Sequence, residues 1–117
     1  MKPVRVILSE DAKEVYEYLN NRASDSKIER SILRSVNSKI ELIKMNTHYG
    51  DPVPKELIPN EYKVEYEITN LFHVELSNFW RMLYTLTNDE KEVEIIAFVL
   101  DIIDYEAYNK KFKYKGH

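Results

Sequence analysis

The sequence predicts an α+β fold: a small antiparallel sheet of three to five strands, with an N-terminal strand, two helices packed on one face and a short C-terminal helix. Three observations carry this. Two stretches of helical periodicity follow one another in the first part of the chain. After a loop rich in proline (Pro52, Pro54, Pro59), strand-like segments succeed each other through short turns, which forces antiparallel pairing. A short apolar run, residues 4–8, precedes the helices and needs a sheet to join.

Each element has its own signal. Ser9 offers an N-cap, with Glu10 and Asp11 suited to a first helical turn. Ala12, Val15, Tyr16 and Leu19 then share one helical face. Ser26 and Glu29 fit a capping box opening a second helix, along which Ile28, Ile32, Val36, Ile40 and Ile43 form an apolar stripe. Tyr62, Val64, Tyr66 and Ile68 alternate with charged residues and read as an edge strand or extended chain. Residues 71–76 (LFHVEL) and 79–86 (FWRMLYTL) form a hairpin through Ser77–Asn78. The nearly continuous apolar segment 93–100 (VEIIAFVL) suits a central strand covered on both faces. Asp104 caps a last helix that places Tyr105, Tyr108 and Phe112 on one face.

Composition narrows the function. The 117 residues suit a single domain, 1–117. The absence of cysteine excludes a disulfide scaffold, thiolate metal sites and a cysteine nucleophile. The longest apolar run, residues 95–100, is far short of a membrane span, and the acidic turn after residue 8 does not suit a signal peptide. A soluble, cytoplasmic protein with no membrane partner is expected. His48, His73 and His117 lack metal-ligand spacing, and there is no phosphate-binding glycine loop or nucleophile elbow, so neither metal nor cofactor is expected. The first 46 residues carry nine Lys/Arg against seven Asp/Glu, the rest eight against thirteen, for a net charge of −3. Binding to RNA must therefore rest on a local patch. Lys110, Lys111, Lys113 and Lys115 supply one, unless they are a solvated tail complementing a helix C-terminus.

One arginine stands out. Arg81 lies inside FWRMLYTL and is the only arginine after position 34. A guanidinium within an apolar strand is costly unless paired or facing a wet cleft. It either bridges a carboxylate such as Glu75 or clamps phosphate oxygens, which its planar fork matches. Strand parity connects it to His73. With a strict two-residue turn, Arg81 lies opposite Val74 and on the other face from His73. With a longer or bulged turn at Phe79, it lies opposite Glu75 and on the same face. Parity alone leaves both turns open.

The strings NLFHVELSNFWRMLYTL and VEIIAFVLDIIDYEAYNKKF resemble the RelE/ParE superfamily of toxin–antitoxin toxins, over roughly residues 4–112. The most specific part is the strand with Trp80, Arg81 and Tyr84, followed by an apolar strand and the helix bearing Glu106 and Tyr108. The resemblance implies a toxin with a cognate antitoxin partner. Many such toxins are RNA interferases that cleave mRNA on the ribosome without a metal. The ParE-like branch instead poisons DNA gyrase, which implies the alternative of a non-catalytic or degenerate toxin acting by binding a protein partner. By the resemblance, the longer turn is expected, since related toxins often have glycine where Phe79 stands; Arg81 holds the scissile phosphate and Tyr108 stacks on a base. His73 and Glu75 fall where RelE has basic residues, and the region of Asp101–Asp104 lacks a second arginine. Tyr105 lies where the YoeB-like branch has a catalytic His–Tyr pair. RNA cleavage through the 2′-hydroxyl needs a base, an acid and cations. His73 is the group whose ordinary pKa, ~6.5, suits the first task, unless it merely fills a sheet face. Tyr105 or Tyr108 would need a lowered pKa to take part, and the lysines would grip flanking phosphates.

Overall fold

A computed structural model describes residues 2–112. The chain runs β1 (Val4–Leu8), α1 (Glu10–Arg22), α2 (Lys27–Met45), β2 (Asp51–Pro52), α3 (Asn60–Tyr66), β3 (Phe72–Glu75), β4 (Arg81–Asn88), β5 (Ile95–Ile103) and α4 (Tyr105–Phe112). The five strands form one sheet in the order β1-β5-β4-β3-β2. The late strands are antiparallel, as short turns require, whereas β1 joins β5 in parallel because the chain crosses over through the helical hairpin.

The caps work as the sequence implies. Ser9 Oγ accepts the Ala12 N–H at 3.0 Å, and Ser26 Oγ accepts the Glu29 N–H at 3.4 Å. The return contact of the second cap differs from the usual box. The Ser26 N–H is already donated to the Arg22 carbonyl (3.0 Å), so Glu29 accepts from the Ser26 hydroxyl instead, at 2.6 Å. Asp104 Oδ1 accepts the Ala107 N–H at 2.9 Å and opens α4.

The sheet is covered on both faces. On one, Ala12 and Leu19 of α1 and Ile32, Val36 and Ile43 of α2 pack against Met82, Tyr84, Ala97 and Val99. On the other, Ile58 and Tyr62 meet Leu71, Leu83 and Leu100, with Tyr108 and Phe112 of α4 against them. Burial of both β4 faces explains why that strand carries an apolar run instead of an alternation.

Residues 62–68, read as extended chain, are mostly helix. Tyr62 and Tyr66 are four apart, a spacing that satisfies both a two-residue and a helical period. In α3 both rings turn toward the sheet, while Val64 stays 74% exposed. Glu67 ends the helix with φ 52° and donates its N–H to the Lys63 carbonyl.

A bulge shapes the second face. Leu83 pairs with Asp101 and Tyr84 with Val99, which leaves Leu100 as the extra residue. Leu100 and Asp101 can therefore both face α3, where strict alternation would send them apart.

Candidate functional site

The site lies where β3, β4 and α4 meet. The β3–β4 turn is a short 3-10 segment, Ser77–Phe79, in which Asn78 and Phe79 have φ of 58° and 64°. The longer turn sets Glu75 opposite Arg81 and His73 opposite Leu83, so His73, Glu75 and Arg81 share a sheet face, as the parity argument expects.

Arg81 sits below Tyr108, its Cζ 5.3 Å from the ring centroid. Its Nη1 donates to the carbonyls of Phe79 (3.1 Å) and Trp80 (3.2 Å), and its Nη2 lies 3.6 Å from Glu75 Oε1. The Arg81 side chain is 14% exposed and that of Glu75 74%, so the pair is half in water and weakly held. Of the two alternatives for Arg81, the carboxylate partner is the one present, and that partner is exposed.

His73 also lies near Tyr108, with ring centroids 6.2 Å apart. Its Nε2 is 4.0 Å from Asp51 Oδ2, and its Nδ1 is buried without a hydrogen-bond partner among the described residues. Burial of the Tyr108 hydroxyl raises its pKa, against the opposite pull of the Arg81 guanidinium, while Glu75 adds to the rise. Tyr108 is thus a neutral phenol, stacked on Phe112 with centroids 4.6 Å apart, and not the ionised group a base role would need. A cleft of about 280 Å³ opens beside His73, lined by Lys39, Tyr49, Gly50, Asp51 and Glu75.

Gly50 and Tyr84 fix that cleft. The Tyr84 hydroxyl accepts the Gly50 N–H at 2.9 Å and donates to the Thr47 carbonyl at 2.7 Å. A Cβ on Gly50 would stand 2.9 Å from Tyr84 Cε1 and 3.1 Å from the His73 carbonyl oxygen, so only glycine lets the loop lie this close. The loop then pairs Asp51 with His73 as the short strand β2. The one glycine within the proline-rich loop was the sequence signal for this approach.

The other candidate residues are placed differently. The Tyr105 ring meets Phe79, with centroids 6.5 Å apart, and not the His73–Tyr108 pair. Lys110 is exposed. Lys111 is turned inward, 2.9 Å from Glu61 Oε2 and 3.7 Å from Asp101 Oδ2. Asp101 also accepts a 2.6 Å hydrogen bond from the Tyr62 hydroxyl, so this group ties α3 and α4 to β5. Lys113 and Lys115 lie outside the described residues. Among those residues, no group of three or more His, Asp and Glu is arranged to hold a metal ion, and no helix is long and apolar enough to cross a membrane.

No family model and no curated protein matches the chain in sequence. In structure it is similar to a YoeB/ParE toxin from Agrobacterium tumefaciens, with a TM-score of 0.56 over 86% of this chain and 97% of that one, at 13% sequence identity. The likeness shows that the two have a fold in common, the RelE/ParE-like toxin fold.

Proposed function

We propose that this chain, built on the RelE/ParE-like toxin fold, is the toxin of a toxin–antitoxin pair and a metal-free endoribonuclease acting on mRNA at the ribosome. The observation that carries the proposal is the convergence of His73, Glu75 and Arg81 on one sheet face beneath Tyr108. The reaction would be transfer of the phosphate from the 5′-oxygen of the next nucleotide to the neighbouring 2′-oxygen. A cyclic phosphate and a 5′-hydroxyl result. His73 would take the 2′-hydroxyl proton through Nε2, the ring nitrogen on the Asp51 side, since its Nδ1 is buried. Tyr108, kept protonated by burial, has a proton to give to the leaving oxygen. The scissile phosphate would displace the exposed Glu75 carboxylate from Arg81, whose guanidinium then balances the charge of the phosphorane. Lys110, with Lys113 and Lys115, would hold flanking phosphates. A cognate antitoxin would bind over this face and α4, and the protein would work in the cytoplasm.

A second reading has its own support. Arg81 is mostly covered, held by two carbonyls and a carboxylate, as suits a structural residue in a non-catalytic toxin that binds a protein partner. Primer-extension mapping of mRNA in translating cells separates the two. The nuclease predicts new 5′ ends with wild type that vanish with Arg81→Ala. Intact mRNA in both cases, with growth arrest retained, would select the partner-binding reading.

A further inference from the structure

Beside Arg81 stand two aromatic rings that the core does not use. Phe79 is 73% exposed and Tyr105 52% exposed, edge to face across the open end of the site. Phe79 also has φ 64°, a conformation in which a bulky side chain is a true outlier. Glycine would hold this turn without strain. The turn is rigid: Ser77 is bonded to Ser31 Oγ at 3.0 Å and, through its N–H, to Ser35 Oγ at 3.2 Å, while Arg81 Nη1 holds the Phe79 carbonyl. The ring therefore adds little burial and sits on strained backbone that these bonds hold in place. Strain kept at a position that packing does not require points to a role outside the core.

We propose that Phe79, with Tyr105 at its edge, is the stacking platform for an unpaired nucleobase of the RNA, next to the scissile phosphate. This rests on the nuclease reading and extends it to residues outside the His73–Arg81–Tyr108 group. Charge favours RNA over an apolar partner protein. Lys27, Arg34 and Lys39 lie within about 140° of the α2 circumference, on the side that also bears Ser31 and Ser35, the two residues touching the turn. A basic helix edge running past an exposed aromatic ring is the pattern of a single-strand groove, in which cations follow the backbone and rings take the bases. Asp104 and Glu106, the exposed sequence neighbours of Tyr105, make the start of α4 acidic, so the strand would pass on the α2 side.

Anisotropy of a labelled, uncleavable 2′-deoxy single strand with the full-length chain at low salt tests this. Phe79→Gly should bind about tenfold more weakly than wild type, the order expected for loss of one stacked base. Its Tm should be at or above that of wild type, because the turn is relieved. Phe79→Tyr should bind as wild type does, and an abasic strand should bind wild type and Phe79→Gly alike. Phe79→Gly binding the intact strand as wild type does would overturn the platform, as would a loss confined to the product of the adjacent gene, which would mark a protein contact instead. If wild type binds no strand, the platform falls, and the nuclease reading is decided by the primer-extension map alone. If Phe79→Gly loses binding while mRNA stays intact in cells, the platform stands and the nuclease reading falls alone.

Discussion

Tyr84 belongs to the core and the site at once. Its ring is fully buried and stacks on Phe72 at 5.1 Å, and its hydroxyl holds the loop that brings Asp51 to His73. Burial raises the pKa of this phenol, so it stays neutral and works through hydrogen bonds alone. Tyr84→Phe keeps the ring but leaves the Gly50 N–H and the Thr47 carbonyl without their partner. It should lower the unfolding free energy by about 1–3 kcal/mol, read from urea denaturation; an unchanged midpoint would mean that water replaces the hydroxyl fully. At this scale the sequence was legible where a residue contradicted its surroundings. Arg81 stood out because a lone cation interrupts an apolar strand. Glu75 was legible through strand parity, which set it opposite Arg81; Asp51 was not, since one exposed carboxylate resembles another until a register sets it beside a partner. Phe79 as a platform was invisible, because its meaning lies in a backbone angle.

At the scale of elements, α3 and α4 are held to β5 by the group of Asp101, Tyr62, Lys111 and Glu61, which the bulge at Leu100 makes possible. Burial raises the pKa of Asp101, outweighing the lowering by the Tyr62 hydrogen bond and by Lys111. The folded chain then binds this proton more tightly than the unfolded chain. The Asp101 contribution to stability therefore decreases as pH rises through its folded pKa, and is regained as pH falls toward the ordinary aspartate value of ~3.9. Asp101→Asn retains an acceptor for Tyr62 and removes the titration. The Tm of wild type relative to this variant should rise as pH is lowered through the carboxylate range; a constant difference would show that Asp101 titrates alike in the folded and unfolded chains. Most elements were legible from caps and periodicity. α3 was not, because two tyrosines four residues apart fit either period, and the clamp was not, because a bulge leaves no mark in an alternation pattern.

At the scale of the molecule, the fold class followed from the order of helical and strand-like segments, but the parallel pairing of β1 required the sheet itself. Strands paired from opposite ends of the described chain give a fold rich in distant contacts. Refolding monitored through Trp80, the single tryptophan, should therefore take milliseconds to seconds, not microseconds. A microsecond phase of full amplitude would contradict this. The same pairing orders events during synthesis. The helical hairpin can form as soon as it emerges, yet β1 waits unpartnered until β5 is made, and α4 follows later still. Until residue 112 has emerged, a nascent copy thus lacks the strand that completes its sheet or the helix that roofs Arg81. A nuclease of the proposed kind would be inactive until that point, and its antitoxin would have to engage only copies whose sheet has closed.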